Sequence, residues 1–357
     1  MAGKTLTDAL VGSVSEGDCL AWMKRMPSQS VDLVVCSPPY EDLRTYGIGF
    51  RLKGQDWVDW AVARYLECYR ICRGLVAWVV EGKTAKFRWS ATPALMMADL
   101  HRHGVRLRKP PAFRRVGIPG SGGPDYLRND YEFIVCASPG KLPWSDNTAM
   151  GHPPKWAPGG AMSHRTQDGK RKNAHASARL KNKHRNQWGH SGTGERAERR
   201  KDGSRGSAVR PSHKGGEDGY NLPVKANPGN VIQQTYTSAE VEKMLEQSGN
   251  ILDYKVGGGV MGSRLCHENE APFPEDLAEF FIRSFCPPDG IVCDPFSGSG
   301  TTLAVADRLG RKFIGFDLRE SQIQLTNRRL EESRNVNHQT TPSEVANHST
   351  VDHLADA

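Results

Sequence analysis

The sequence predicts an α/β fold, a mostly parallel sheet with helices on both faces. Short segments that are apolar at almost every position alternate with longer segments of helical spacing. Strands that are apolar throughout are typical of parallel sheets buried on both faces. The chain has 357 residues, of which 37% are hydrophobic, so it is long enough to bury such a sheet in one large domain or two modest ones.

The elements of the first part of the chain follow from local patterns. The apolar segments Val31–Cys36, Leu75–Val80 and Tyr131–Ala137 are predicted strands. Between the first two lies a predicted helix, Asp56–Cys72, whose large apolar residues recur at helical spacing. A strand, a helix and a second strand in this order predict a parallel pair with a crossover helix.

The last part of the chain continues the alternation. The predicted elements are an amphipathic helix, a short buried strand, a helix, a strand and a helix, at Glu275–Cys286, Ile291–Cys293, Thr301–Leu309, Phe313–Phe316 and Glu320–Glu332. The residues after Arg334 are polar and aperiodic, which predicts a disordered tail.

A strongly basic segment separates the two parts. Residues 163–214 contain fifteen Lys or Arg and four Asp or Glu, a net charge of +11, whereas the whole chain has a formal net charge of +8. Because the segment has few apolar residues, it cannot bury enough surface to fold alone. We predict a long basic loop, disordered or ordered only on a partner, and the excess of positive charge favours an anionic partner.

The cysteines indicate a reducing compartment and no metal. Eight cysteines are scattered without a CxxC pair, and Cys68 and Cys72, one helical turn apart, have no second pair to complete a zinc site. The N-terminus has no signal-peptide pattern, and no apolar segment approaches the length of about 18 residues that a membrane span needs. These patterns predict a cytoplasmic protein.

The segment DPFSGSGTT, Asp294–Thr302, has the features of a nucleotide-binding turn. Gly298 and Gly300 allow the backbone to approach a ligand closely, and the N–H groups of the helix that begins at Thr301 face that ligand. Asp317 ends the next strand, 23 residues after Asp294, where an acid takes the hydroxyls of a ribose. The turn therefore predicts an adenosine-containing ligand at the carboxyl edge of the sheet.

Two other nucleotide motifs are excluded at this turn. A P-loop would need a lysine followed by Ser or Thr after the last glycine, but Thr301 and Thr302 stand there. A full dinucleotide motif would need a third glycine where Leu303 stands.

The longer stretch from Ile291 to Leu318, IVCDPFSGSGTTLAVADRLGRKFIGFDL, closely resembles the S-adenosylmethionine motif of methyltransferases. By this resemblance Asp294 contacts the methionine amino group, Phe296 lines the pocket and Asp317 binds the ribose. Gly298, Gly300 and Thr301 then belong to the cofactor-binding turn.

Two further segments resemble parts of the same cofactor site. Glu270–Leu277, which includes Pro272, resembles the segment that packs against the methionine end. Gly17-Asp18 resembles a pair whose acid lies near the adenine, although Asp18 is equally interpreted as a simple turn acid.

The second motif, Ser37-Pro38-Pro39-Tyr40, directly follows the predicted strand Val31–Cys36. The prolines fix the backbone and lack N–H groups, so their carbonyls point outward as acceptors. The Ser37 hydroxyl and the Pro38 carbonyl can accept both hydrogens of an exocyclic amino group, which draws its nitrogen lone pair out of conjugation. Tyr40 offers a face on which an extruded base can stack. The motif predicts direct in-line methylation of an amino nitrogen.

With both motifs the chain resembles the amino-group DNA methyltransferases. The catalytic motif precedes the cofactor motif, an order that resembles the circularly permuted β group of these enzymes. The resemblance implies a Rossmann-like, S-adenosylmethionine-dependent methyltransferase that flips its target base out of duplex DNA. We predict a catalytic half at 1–145, a basic, loop-rich target-recognition insert at 146–262, a cofactor-binding half at 263–333 and a disordered tail at 334–357.

The first residue of the catalytic motif bears on the target base. Ser37 resembles the N4-cytosine enzymes, whereas N6-adenine enzymes of this permutation usually carry Asp; adenine N6 is the alternative, because either oxygen accepts an N–H bond. Methylation at cytosine C5 needs a nucleophilic cysteine, generally in a Pro-Cys pair, which this sequence lacks; we interpret Cys36 as a core residue. Methylation of protein glutamine or RNA, and a DNA-binding protein without catalysis, are further alternatives.

The predicted partner is double-stranded DNA. Arg44 and Lys53 lie in the loop after Tyr40, which either closes over a flipped base or is a plain surface loop. The insert supplies cations to neutralise phosphates, unless it is only a solvated linker: Lys170, Arg171, Lys172, Lys181, Lys183, Arg185, Arg199, Arg200 and Lys201. The resemblance also implies a cognate restriction endonuclease as a possible partner, a monomer or homodimer, and the cytoplasm of a bacterial or phage-infected cell.

Overall fold

The computed structural model describes residues 5–42, 46–114, 131–146, 149–150, 231–233, 265, 268 and 274–339. These residues all belong to one compact unit, which takes in chain from both sides of residues 151–227. Its helices are α1 (Leu6–Leu10), α2 (Cys19–Arg25), α3 (Gly54–Ile71), α4 (Thr92–Arg102), α5 (Glu275–Phe285), α6 (Thr301–Arg308) and α7 (Glu320–Gln339).

Ten strands lie in the described residues. They are β1 (Ser13–Glu16), β2 (Val31–Cys36), β3 (Cys72–Val80), β4 (Thr84–Ala85), β5 (Arg88–Trp89), β6 (Ala112–Arg114), β7 (Tyr131–Ala137), β8 (Val231–Gln233), β9 (Ile291–Asp294) and β10 (Lys312–Asp317). Eight of them form one sheet in the order β1-β10-β9-β2-β3-β7-β6-β8, while β4 and β5 form a separate hairpin.

The sheet is mostly parallel, which confirms the prediction. The five strands from β1 to β3 run parallel to one another, and β7 is antiparallel to both of its neighbours, β3 and β6. From β3 the chain passes through α4 to β6, which lies two strand positions away from β3 in the sheet. The next strand, β7, runs in the opposite direction and lies between β3 and β6.

The two predicted halves of the chain meet in the middle of the sheet. Strand β2 pairs with β9 in the register Leu33 with Val292 and Val34 with Cys293. From β2 the chain continues through α3 to β3 on one side, and from β9 through α6 to β10 on the other. In open α/β sheets a ligand crevice lies where the strand order reverses in this way.

Helices cover both faces of the sheet, as predicted. In β2, Val34 and Cys36 pack on one face with residues of α2, α3 and α4, whereas Leu33 and Val35 pack on the other with residues of α5, α6 and α7. This division follows from the geometry of a strand, in which successive side chains point to opposite faces. All six residues of β2 are buried, because both faces are covered.

The structure extends several predicted elements, most of all β3, which begins at Cys72 instead of Leu75, and α7, and it adds others. Helix α7 continues to Gln339, past the predicted end at Glu332, and Arg334 pairs with Asp307 of α6 at 2.8 Å. Elements α1, β1, α2, α4, β6, β8 and the β4–β5 hairpin were not predicted. They are short or lack a distinctive apolar pattern; β1, for example, forms through its pairing with β10.

The seven cysteines of the described residues are buried free thiols. Cys36 lies in the core, as we interpreted it, and burial raises the pKa of its thiol well above the ordinary value, so it is not a nucleophile at neutral pH. Within the same residues, no cluster of three His, Cys, Asp or Glu is arranged to bind a metal ion. None of the described helices is long and apolar enough to cross a membrane.

Candidate active site

The turn between β9 and α6 requires its glycines. Gly298 and Gly300 have φ angles of +49° and +75°, in the left-handed region that side chains rarely adopt. A Cβ atom at Gly300 would lie 2.6 Å from Cγ2 of Thr326 on α7. The Thr326 hydroxyl donates to the Gly298 carbonyl at 2.9 Å, which ties the turn to α7.

Asp294 is a buried carboxylate at the start of this turn. Its side chain accepts the Phe296 N–H at 3.0 Å and a hydrogen bond from the Thr302 side chain. Burial raises its pKa to about 7; the hydrogen bonds from Phe296 and Thr302 oppose this shift, and the nearby charge of Asp317 adds to it. Because both donors are neutral, this site suits a cationic group of a ligand.

Asp317 ends the neighbouring strand β10. Its Oδ2 accepts the Gly298 N–H and its Oδ1 accepts the Arg319 N–H, both at 3.0 Å. Burial raises its pKa, and the Arg319 N–H and guanidinium charge oppose that shift. Since Gly315 pairs with Asp294, the two carboxylates stand at the same edge with the glycine turn next to them.

Asp18 lies beside Asp317, at the end of β1. Glu16 pairs with Asp317, and the Gly17 N–H donates to the Asp317 carbonyl at 2.8 Å. The Asp18 carboxylate caps α2 through the Leu20 N–H at 3.0 Å and accepts Arg64 Nη2 at 3.1 Å. Its side chain is 42% exposed, so a ligand can reach this carboxylate although it already bonds to Leu20 and Arg64.

Thr301, the first residue of α6, is 3% exposed. Its hydroxyl accepts a hydrogen bond from Arg329 Nη1 at 2.9 Å, and Nη2 of this buried arginine pairs with Glu275 at 2.7 Å. The hydroxyl of Thr301 is thus used in packing α6 against α5 and α7. Because Thr301 is the first residue of α6, its backbone N–H is the group that can face a ligand.

An aromatic cluster joins the two motifs. The Phe296 ring contacts Trp60 and Trp78 at centroid distances of 5.7 and 5.3 Å. Trp60 in turn contacts Trp57 at 6.4 Å. The indole N–H of Trp57 donates to the Pro39 carbonyl at 2.8 Å, so the glycine turn and the Ser-Pro-Pro-Tyr motif share one rigid support.

The Ser-Pro-Pro-Tyr motif leaves β2 at the same edge. Ser37 Oγ donates to Tyr40 Oη at 3.3 Å, and Tyr40 Oη donates to Glu132 Oε2 at 2.8 Å. The Pro39 carbonyl is occupied by Trp57, whereas no donor in the described residues bonds to the Pro38 carbonyl. The two acceptors predicted for a target amino group, Ser37 Oγ and the Pro38 carbonyl, therefore keep accepting capacity.

Glu132 was missed by the sequence analysis. It is 8% exposed and lies near the start of β7. Because β7 is antiparallel, its start lies at the edge where the parallel strands end. A single acid within the apolar strand YEFIVCA was the signal that could have identified it.

The loop after the motif packs across this edge. The Tyr40 N–H donates to Tyr46 Oη at 2.9 Å, and Phe50 contacts Tyr46 and Trp60 at 6.1 and 5.0 Å between centroids. A Cβ atom at Gly47 would lie 3.0 Å from Arg319 Nη1. The loop thus connects the Ser-Pro-Pro-Tyr motif with the end of β10.

Lys53, which was predicted to contact DNA, is exposed at the start of α3. Several other predicted site residues have no described position. Outside the described residues lie Arg44, Pro272, Lys170, Arg171, Lys172, Lys181, Lys183, Arg185, Arg199, Arg200 and Lys201.

The comparison with known families decides the identity of this site. A family model for N6 and N4 DNA methylases matches residues 31–328, a span that begins at β2 and ends in α7. The chain belongs to this DNA methylase family. It is an amino-group DNA methyltransferase, and its cofactor is S-adenosyl-L-methionine.

Relatives of this DNA methylase match over most of its length. The orphan methyltransferase M.BamHII of Bacillus amyloliquefaciens is 24% identical over 306 residues, 84% of this chain and 89% of its own. The DNA adenine methyltransferase YhdJ of Escherichia coli strain K12 is 22% identical over 344 residues, 96% of this chain and 86% of its own.

A solved structure has the same fold. The cytosine-N4-specific PvuII DNA methyltransferase superposes with a TM-score of 0.51 at 18% identity, over 92% of this chain and 91% of that one.

Proposed function

We propose that this DNA methylase transfers a methyl group to the N4 nitrogen of cytosine within a specific sequence of duplex DNA. The observation that carries the proposal is the acceptor pair formed by Ser37 Oγ and the Pro38 carbonyl at the end of β2. It adjoins the Asp294 turn at the end of β9, and the aromatic cluster of Trp57, Trp60 and Phe296 joins the two.

The residues of the glycine turn fit S-adenosylmethionine. The buried carboxylate of Asp294, to which only neutral donors of the described residues bond, suits the cationic amino group of the methionine portion, and Asp317 suits the ribose hydroxyls. Gly298 and Gly300 bring the backbone close to the ligand, and Phe296 provides an apolar wall. When bound, this cofactor supplies the methyl group from a sulfonium, which makes that carbon electrophilic.

Ser37 is oriented as an acceptor toward the target amino group. Its own hydrogen is donated to Tyr40, and the Tyr40 hydrogen to Glu132, so the lone pairs of Ser37 remain for an incoming N–H. The Pro38 carbonyl takes the second N–H. Both bonds draw the nitrogen lone pair out of conjugation with the base, and positioning then supplies most of the rate.

The same chain of hydrogen bonds gives the released proton a route. Methylation leaves a positive charge on the amino nitrogen, which must lose one hydrogen. As that hydrogen passes to Ser37 Oγ, the Ser37 hydrogen passes to Tyr40 Oη and the Tyr40 hydrogen to the Glu132 carboxylate. We assign Glu132 as the final proton acceptor.

The choice of cytosine rests on Ser37, the residue that resembles N4-cytosine enzymes. Adenine N6 is the second candidate, because the same acceptor pair fits an adenine amino group. The adenine methyltransferase from Escherichia coli, similar over nearly the whole chain, supports keeping it.

The DNA contacts and partners stay predictions. Exposed Lys53, together with Arg44 and the basic residues of the insert, is proposed to contact phosphates, and Asp18 and Pro272 to complete the cofactor site. A cognate restriction endonuclease is a proposed partner.

Nucleoside mass spectrometry tests the proposal. Unmethylated plasmid DNA is incubated with the protein and S-adenosylmethionine, then digested and analysed for methylated nucleosides. We expect N4-methylcytosine from the native chain and none from Ser37→Ala. Glu132→Gln, which keeps an acceptor for Tyr40 but takes up a proton poorly, should lower kcat about a hundredfold with cofactor binding unchanged.

The outcomes separate the candidates. N6-methyladenine would retain the enzyme class but refute the assignment made from Ser37. Glu67→Gln, a change in the Glu67–Arg70 ion pair on α3, is the matched control and should keep full activity. Undiminished activity in Glu132→Gln would refute the proton route.

A further inference from the structure

The hairpin β4–β5 stands next to the catalytic motif. It follows β3, whose Val79 carbonyl oxygen lies 3.5 Å from Ser37 Oγ. Thr84 pairs with Trp89 and Ala85 with Arg88, so Lys86 and Phe87 form its two-residue tip.

The base of the hairpin is firmly held. The Trp89 indole N–H donates to Glu81 Oε1 at 3.0 Å, and its ring stacks on Phe133 at a centroid distance of 5.9 Å. Phe133 is the chain neighbour of Glu132, which accepts the Tyr40 hydroxyl. Lys83 pairs with Asp42 at 3.0 Å, which ties the hairpin to the loop after the motif.

The tip of the hairpin is apolar and basic at once. Phe87 is 72% exposed, the highest value among the large apolar side chains of the described residues. It is flanked by exposed Lys86 and Arg88, and the segment from Lys83 to Trp89 contains no acid. A phenylalanine between two cations suits a ligand that offers both stacked rings and negative charge.

The backbone at the tip is strained. Lys86 and Phe87 have φ angles of +50° and +60°, as a two-residue turn of this kind requires, and Asn-Gly or Asp-Gly are the usual residues there. A bulky aromatic at such a position is unfavourable by itself. Strain of this kind persists at functional sites, where the side chain has a role outside the turn.

We infer that the hairpin β4–β5 enters the DNA beside the target base and that the Phe87 ring stacks in the space left by the flipped base. This inference rests on the proposed function, because only a base-flipping enzyme creates that space. Lys86 and Arg88 then lie against the flanking phosphates. Apolar side chains inserted between base steps are an established means of holding DNA deformed.

The variant Phe87→Gly distinguishes a purely structural role of Phe87 from the proposed stacking role. Glycine adopts the left-handed region without strain, so the variant should unfold at the same temperature as the native chain or higher. Its kcat/KM on duplex DNA should nevertheless fall about ten- to a hundredfold, the loss expected for removing one base–aromatic stack. Phe87→Trp, which keeps a stacking ring, should retain most activity.

The substrate is varied to test the role in flipping. The sequence that the native chain methylates, mapped first on plasmid DNA, is placed in synthetic duplexes with the target base either paired or mismatched. A mismatched base flips more easily, so the defect of Phe87→Gly should shrink on that duplex. Leu95→Ala, which removes an exposed apolar side chain of α4, is the matched control and should match the native chain on both duplexes.

Each result has a defined meaning. If the native chain methylates DNA and Phe87→Gly is as active as Leu95→Ala, the inference is wrong and the proposed function stands. An equal defect on both duplexes also refutes the stacking role. Failure of the native chain to methylate any DNA would overturn the proposed function, and the inference with it.

Discussion

Asp294 is a carboxylic acid held in surroundings that favour its neutral form. It is 1% exposed, and burial raises its pKa to about 7. An acid whose folded pKa exceeds its unfolded value destabilises the folded state once it ionises. Stability is therefore lost as pH rises from about 4 through about 7. The destabilised residue, Asp294, is also the one proposed to bind a cationic group. Stability and function are expected to conflict at such a residue.

Asp294→Asn should reverse both effects. At pH 8 the cofactor-free variant should be more stable than the native chain by about 1–3 kcal/mol, because the buried charge is removed. Binding of S-adenosylmethionine should weaken at least about thirtyfold, since its amino group loses a charged partner. Denaturant unfolding and calorimetric titration at pH 8 measure the two quantities.

The pH dependence provides the control for this prediction. In the native chain, protons compete with the cofactor below about pH 7, so affinity should fall about tenfold for each further pH unit. The Asn variant should show no such slope. A native affinity that stays constant between pH 5 and 7 would contradict the role given to Asp294.

At the scale of elements, helix α7 helps to shape the glycine turn that precedes helix α6. Gly300 begins α6 with φ of +75°, and its missing Cβ leaves room for the Thr326 side chain of α7. Thr326 then bonds to the Gly298 carbonyl. The conformation of this glycine turn, proposed to bind the cofactor, is thus determined jointly by α6 and α7.

Gly300→Ala should destabilise the protein by about 2–4 kcal/mol, through the left-handed backbone and the contact with Thr326. Gly310→Ala is the matched control, because Gly310 has a similar φ of +69° with nothing within 4 Å of its Cβ position. It should cost about 1 kcal/mol. Urea unfolding of the two variants measures the difference.

A second variant tests the cause of that difference. Thr326→Ser removes the methyl group that lies nearest to the Gly300 position, so it should recover part of the stability of Gly300→Ala. If the double variant is no more stable than the single one, steric contact with Thr326 is not the cause.

At the scale of the whole molecule, the sheet depends on both ends of the chain. Strand β2 comes from the first part and β9 from the last, and they are neighbours at its centre. Each part by itself would expose a central strand whose side chains are apolar on both faces. Such an edge invites aggregation.

Residues 1–150 and 228–357, expressed as separate chains, should therefore assemble only with each other. We expect each fragment to aggregate when produced singly, and the co-expressed pair to copurify and bind S-adenosylmethionine. Val34→Asp in the first fragment should abolish copurification, because Val34 is fully buried at the junction with Cys293. A single fragment that stays monodisperse and unfolds cooperatively would refute this dependence.

Much of this architecture could be predicted because the local pattern of each main element agrees with its final surroundings. The strands Val31–Cys36 and Ile291–Cys293 are apolar at almost every position, which already indicates burial on both faces. The glycine turn and the Ser-Pro-Pro-Tyr motif directly follow these strands. Small elements such as β1 were missed, since they form through pairing with a neighbour distant in the chain.

By itself, the sequence determined the α/β class, the order of the two motifs and the cofactor class, because these depend on residue types at short spacing. Only the tertiary structure decided what lies beside them. Glu132 reaches Tyr40 because β7 runs antiparallel, Trp57 occupies the Pro39 carbonyl, and the hairpin with Phe87 is tied through Lys83 to Asp42 in the loop after the motif. Each of these contacts joins residues far apart in the chain, and their relative positions follow from sheet order and packing rather than from local pattern.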